Sequence, residues 1–147
     1  TFYTIEKYPL DKDIILQLKY GLNISKEVEV LFEKIHRCQW NKTVQISPHF
    51  NLIKLQADLL ENRLQEIQNC DVIYFDAFGP DKQPEMWQPE IFQKIYSITA
   101  PNGVFVTYSA KEVVRRQLTA CGFEMYWLPG PPGKFHMLRG IKKVSTF

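Results

Sequence analysis

Three carboxylates stand where the chain leaves an apolar or β-branched run: Glu6, Asp58 and Asp76. In open α/β sheets, ligands sit beyond the carboxyl ends of the strands, so acids at such positions are candidates for chemistry. Glu6 ends the run Phe2-Tyr3-Thr4-Ile5, and a carboxylate there can accept both hydroxyls of a ribose. Asp58 follows Gln56-Ala57 and can accept from an adenine amino group, cap a helix, or do both. Asp76 is the sharpest of the three. It follows Val72-Ile73-Tyr74-Phe75 directly, and an acid leaving a buried strand is costly unless it is solvated or paired. The polar, proline-containing segment Ala77-Phe78-Gly79-Pro80 then turns the backbone close past it. Such an acid can orient a nucleophilic nitrogen and accept the proton it loses. A plain turn aspartate is the simpler alternative.

The elements that must position these acids follow from periodicity and punctuation. A strand is expected to end at Glu6. Pro9 opens a helix with the face Leu10, Ile14, Ile15 and Leu18. Ser25 caps a second helix bearing Val28, Leu31, Phe32 and Ile35. Residues 43–46 and 49–56 read as a hairpin around Ser47-Pro48, and Asp58 as the start of a short helix with Leu59, Leu60, Leu64 and Ile67. The nearly continuous apolar run 72–75 predicts a strand buried on both faces. Pro89 opens a helix with Ile91, Phe92 and Ile95, and Asn102-Gly103 turns into a strand over 104–108. Ser109 is expected to cap a helix ending at Cys121-Gly122. Strands over 123–128 and 135–141 flank a Pro/Gly loop too short for a parallel crossover, so the last strand must run antiparallel. Alternating strands and helices predict a doubly wound α/β sheet in one domain over residues 1–147.

Composition sets the limits. Hydrophobic residues make up 45% and charged residues 23% of the 147, which supports a packed core and argues against disorder. No apolar run is long enough for a membrane span, and the first residues do not have a signal-peptide pattern. Cys38, Cys70 and Cys121 form no C-x-x-C pair, so no metal site is expected and they read as thiols of a reduced cytoplasm. Residues 111–147 carry seven Lys/Arg against two Glu, an excess that attracts phosphate or simply forms a solvated face. His36, His49 and His136 are expected to be structural or surface residues.

The run Asp71-Val72-Ile73-Tyr74-Phe75-Asp76-Ala77-Phe78-Gly79-Pro80-Asp81-Lys82-Gln83-Pro84-Glu85-Met86-Trp87 resembles the signature of the MnmC-type tRNA methyltransferases. Thr4-Ile5-Glu6-Lys7-Tyr8-Pro9-Leu10 is similar to that family's ribose-binding strand end. Ala100-Pro101-Asn102-Gly103 with the strand after it, and Met137-Leu138-Arg139-Gly140, resemble its later strands. The resemblance implies a Rossmann-like class I methyltransferase, a three-layer sandwich whose mostly parallel sheet has an antiparallel last strand. It implies S-adenosyl-L-methionine as cofactor and the 5-aminomethyl group of a modified wobble uridine in tRNA as acceptor. Asp76 would then be catalytic, and Glu6, Asp58, Asp76 and Phe78 would contact the cofactor, although a core position suits Phe78 equally. Pro80, Lys82, Lys134 and Arg139 would meet tRNA, with Arg115 and Arg116 as further phosphate contacts. Met86 and Trp87 would pack the loop against the helix at Pro89. A fused or partner flavin-dependent oxidase domain is a further implication.

One family feature is absent. None of the seven glycines forms the Gly-rich loop that follows the first strand of such enzymes. The chain is therefore expected to lack that strand and its cofactor loop, leaving two strand edges open to a partner or to self-association. Another small-molecule or protein N-methyltransferase, a non-catalytic relative of the fold and a dinucleotide oxidoreductase are the competing readings.

Overall fold

The computed structural model describes residues 1–18, 20–61, 64, 66–133 and 135–144. They fall into two compact units, Thr1–Asn62 and Arg63–Phe147.

The first unit holds β1 (Phe2–Glu6), α1 (Lys12–Gln17), α2 (Lys26–Arg37), β2 (Thr43–Ser47) and β3 (Phe50–Gln56). The three strands form one sheet in the order β1-β3-β2. β1 runs parallel to β3, with Glu6 opposite Gln56, and β2 and β3 form the expected antiparallel hairpin. Ser25 caps α2 as its sequence suggests: its Oγ accepts from the Val28 N–H at 3.2 Å. α1 starts at Lys12, three residues after Pro9, with Asp11 at its N-cap. Lys54 is buried on β3, where its ammonium donates to the His36 carbonyl at 2.8 Å and lies over the Trp40 ring. His36 packs against Phe32, and burial, with the Lys54 charge second, lowers its pKa.

Among the described residues the helix expected from Asp58 is not formed. Leu59–Glu61 is a turn, and the Leu60 N–H donates to Asp58 Oδ1 at 2.9 Å. That i to i+2 bond is a side-chain turn, a local competitor of the helix cap. Leu64 then sits at φ 54°, outside helical geometry.

The second unit holds β4 (Cys70–Phe75), α3 (Pro89–Ile98), β5 (Thr99–Thr107), α4 (Glu112–Ala120), β6 (Phe123–Pro129) and β7 (His136–Lys142). The sheet order is β4-β5-β7-β6. β4 and β5 are parallel, and β7 runs against both neighbours, as the short Pro/Gly loop requires. In each sheet one strand opposes the direction of the rest. Phe75, Phe92, Phe105, Phe123, Val114, Leu118 and Leu138 form the core beneath α3 and α4. Lys142 reaches from β7 to the carboxyl end of α3 and donates to the carbonyls of Tyr96 and Thr99, each at 2.8 Å, a favourable place for a cation.

Three local expectations are corrected. β4 is covered on one face only: Phe75 is buried, while Val72 and Tyr74 point away from the helices and are exposed, Tyr74 by 73%. β4 is an edge of its sheet, as β1 is of the other. Ser109 is buried and does not cap α4; its N–H donates to Thr107 Oγ1, and Lys111 holds the N-cap. β5 begins at Thr99, before Asn102-Gly103, because the ladder with β4 is bulged between Cys70 and Val72. Asn102 takes φ 62° inside this irregularity. Among the described residues no helix is long and apolar enough to cross a membrane.

Gly103 is required by this bulge. A Cβ there would lie 2.8 Å from two backbone oxygens, those of Ala100 and Cys70, and 2.7 Å from Thr99 Cγ2. We expect Gly103→Ala to destabilise the protein by about 1–3 kcal/mol. Gly79→Ala, whose methyl meets only the Tyr108 hydroxyl at 3.6 Å, should stay within about 0.5 kcal/mol. Denaturant titration of the two variants checks the contrast.

Candidate functional site

In the first unit the parallel pairing of β1 and β3 puts Glu6 and Gln56 side by side, and Asp58 follows two residues later. The Ala57 N–H donates to the Glu6 carbonyl at 3.2 Å, extending the pairing past the strand ends. Glu6 is exposed, and its Oε1 accepts the Tyr8 N–H at 2.8 Å. Lys7, which the sequence reading passed over, lies between the acids. Its ammonium sits 2.6 Å from Asp58 Oδ2. The hydrogen bond to Asp58, and next that to Tyr8, raises the lysine pKa above its ordinary range. Glu6 and Asp58 thus share one sheet end, with Asp58 holding Lys7 through one oxygen and the Leu60 amide through the other.

This pair of acceptors suits one end of an adenosyl cofactor. Carboxylates at adjacent strand ends match ribose hydroxyls and an adenine amino group. Nothing among the described residues forms a glycine cradle for the methionine end. Gly79 is the glycine of the Asp76 loop, and its surroundings leave room for a Cβ.

In the second unit β4 carries Phe75 into the core and delivers Asp76 to solvent one residue later. Strand alternation explains the change: Ile73 and Phe75 face the helices, and the chain leaves the sheet at Asp76. The loop after Asp76 is tied down along its length. The Tyr108 hydroxyl donates to the Ala77 carbonyl at 2.8 Å, and the Trp87 indole N–H donates to the Phe78 carbonyl at 2.7 Å. The Gly79 carbonyl accepts from the amides of Lys82 and Gln83 at 2.8 and 3.0 Å. Asp81 pairs with Lys111 at the start of α4.

Trp87 is 3% exposed and packs edge-on against Phe75 and Phe92, which supports its expected role of packing the loop against α3. Phe78 is 76% exposed, so it is not a core residue. Pro80 is half-buried and Lys82 exposed on the same loop. Arg139 lies elsewhere, mid-strand on β7 opposite Val106, with its guanidinium over the Tyr126 ring. Arg115 is engaged by Glu112 at 2.6 Å, a contact that lowers the Glu112 pKa and raises that of Arg115. Lys134 lies outside the described residues. In the sequence Tyr108 reads only as the end of the strand expected over 104–108, whereas β5 ends at Thr107 and leaves Tyr108 at the mouth of the sheet. Among the described residues no group of three His, Cys, Asp or Glu could hold a metal.

An α/β unit with a reversed strand wedged before its last neighbour, and an acid at the mouth of an edge strand, has the architecture of class I methyltransferases. The profile of the family described as S-adenosyl-L-methionine-dependent methyltransferase matches residues 22–143, and the chain belongs to that family. It is 32% identical over 143 residues to a Pseudomonas savastanoi pv. phaseolicola protein, the tRNA 5-methylaminomethyl-2-thiouridine biosynthesis bifunctional protein MnmC. It is 28% identical over 137 residues to the protein of that name from Dichelobacter nodosus. These alignments cover 95% and 92% of the chain and 22% of each relative, so the chain spans about a fifth of their length. Among solved structures, MNMC2 from Aquifex aeolicus matches with a TM-score of 0.68 at 20% identity, over 94% of this chain and 42% of that one. Spermidine synthase from Thermotoga maritima matches with a TM-score of 0.54 at 16% identity, over 97% and 45%. Both share the fold.

The Asp58 geometry makes a direct prediction. Asp58→Asn keeps an oxygen for the Leu60 amide, and Asp58→Ala does not. Hydrogen exchange should show the Leu60 amide protected in the first variant and released in the second.

Proposed function

We propose that this chain forms part of an N-methyltransferase that methylates the 5-aminomethyl group of a modified wobble uridine in tRNA, and that both units belong to one methyltransferase domain over residues 1–147. The observation that carries this reading is Asp76: an exposed carboxylate at the end of β4, opening a loop whose next three carbonyls are all held by donors. The similarity to the MnmC relatives, which are named for tRNA 5-methylaminomethyl-2-thiouridine biosynthesis, supports such an acceptor.

When bound, S-adenosyl-L-methionine supplies an activated methyl group. The remaining tasks fall to the chain. Glu6 holds the ribose hydroxyls and Asp58 the adenine edge. Asp76 accepts an N–H of the primary amine, which points the nitrogen lone pair along the line of displacement. It then takes the proton the amine loses and passes it to water, which reaches this exposed position. Phe78 offers an exposed ring on which a planar group can stack. Pro80 shapes the loop surface, and Lys82, Arg139 and Lys134 meet tRNA phosphates. A tRNA substrate supports a cytoplasmic location for the protein. The relatives are named as bifunctional, which supports a second catalytic domain as companion, in this reading a flavin-dependent oxidase, and the edges at β1 and β4 suit a partner strand or self-association.

The experiment is methyl transfer in the full protein to tRNA bearing or lacking the aminomethyl group, with calorimetric titration of S-adenosylhomocysteine. Transfer should require the aminomethyl group. Asp76→Asn should reduce kcat by a factor on the order of a thousand, with S-adenosylhomocysteine affinity largely kept. Retained turnover would remove Asp76 from this role, and binding of NAD in place of S-adenosylhomocysteine would sink the cofactor assignment.

A further inference from the structure

We infer that Trp87 and Tyr108 are positioning residues that act as a two-point clamp on the peptide backbone directly after Asp76, so that the loop meets the amine in one conformation. The inference rests on the reading of Asp76 as the amine-orienting acid.

The two donors come from separate elements and converge on consecutive carbonyls. Trp87 ends a 3-10 turn, Pro84–Trp87, and its indole N–H reaches back nine residues to Phe78 at 2.7 Å. Tyr108 follows β5, and its hydroxyl crosses to Ala77 at 2.8 Å. Their rings also meet edge-on, with centroids 6.4 Å apart. Both distances are those of good hydrogen bonds. Trp87 is buried among Phe75 and Phe92, so its N–H is held by core packing and cannot swing to another acceptor without disturbing the core.

The clamp has a chemical consequence. Carbonyls beside an orienting acid are natural acceptors for a substrate N–H. Here Ala77, Phe78 and Gly79 all point their oxygens at protein donors. The clamp thereby fixes these oxygens relative to Asp76, so that the amine meets one arrangement of acceptors. The clamp also holds the backbone of Phe78, whose ring stands out into solvent, so stacking surface and acid keep a fixed separation. In an in-line displacement, misplacement by an ångström reduces rate far more than affinity.

Trp87→Phe and Tyr108→Phe each delete one donor and keep the ring. In the full protein, we expect each to lower kcat about tenfold or more. The KM for S-adenosyl-L-methionine and the affinity for S-adenosylhomocysteine should change by less than about twofold, and the thermal midpoint should fall by only a few degrees. The double variant should lose less than the product of the single losses, because both donors hold one loop. Wild-type kcat in folded single variants would overturn the clamp and leave two donors that merely satisfy the core. If Trp87→Phe does not fold, Tyr108→Phe carries the test, since it removes one oxygen from a half-buried ring. An active Asp76→Asn protein would overturn the amine reading and the clamp together. An inactive Asp76→Asn with both phenylalanine variants at full kcat would overturn the clamp alone.

Discussion

The second unit is organised around one indole. Trp87 lies in an aromatic cluster with Phe75 and Phe92, and Phe105 closes the group from β5. A ring so placed has a single polar atom, and leaving its N–H unsatisfied costs about 1–3 kcal/mol. The acceptor it finds is the Phe78 carbonyl, in the loop that Asp76 opens. Packing of the core and conformation of the site are therefore the same problem. Any arrangement of α3 that buries Phe92 against Phe75 also sets where the indole N–H points, and with it where the loop runs.

The sheet supplies the other constraint. Phe75 pairs with Thr107 and Tyr74 with Val106, so Asp76 leaves the sheet level with the end of β5, next to Tyr108. A slip of one residue would send Phe75 to the solvent face and Asp76 into the core, so burial of Phe75 specifies the register. The close approaches that hold this register are made by glycines. Gly103 lets the β4–β5 bulge form against Cys70 and Ala100, and Gly140 on β7 leaves space for Phe123 and Met125 of β6. Lys142, one turn of the pleat further on, then anchors β7 to the end of α3.

Much of this was legible from residue types. The hairpin of β2 and β3, the Ser25 cap, the helix opened by Pro89 and the reversal of β7 all rest on short-range rules that tertiary structure did not override. Asp76 was legible because an acid after four apolar residues marks where a strand leaves its sheet. What failed depended on distant partners. Val72 and Tyr74 read as core residues, but the helices cover only the face that Phe75 occupies. Ser109 has a cap's composition, yet the chain stays in the core until Lys111. Asp58 was placed at a helix start because sequence alone does not separate a cap from a side-chain turn, and Lys7 was missed because the parallel pairing of β1 with β3 is what brings it to Asp58. The stacking of Arg139 on Tyr126 likewise depends on a partner from the neighbouring strand.

An exposed acid and an exposed phenylalanine on one pinned loop form an unusual combination, and the physical logic favours use over accident. A solvated carboxylate needs no partner to be stable, so the acid itself does not require the pinning of the three carbonyls after it. Phe78 leaves a large apolar surface in water that folding could have hidden, and covering such a ring with a planar group contributes about 1.5–3 kcal/mol. On a mobile loop much of that gain would be lost to ordering. With the Ala77 and Phe78 carbonyls already held, the loss is smaller, and the gain is delivered beside Asp76. Binding energy released next to the reacting nitrogen can be spent on orientation, which is the contribution a displacement of this kind depends on most.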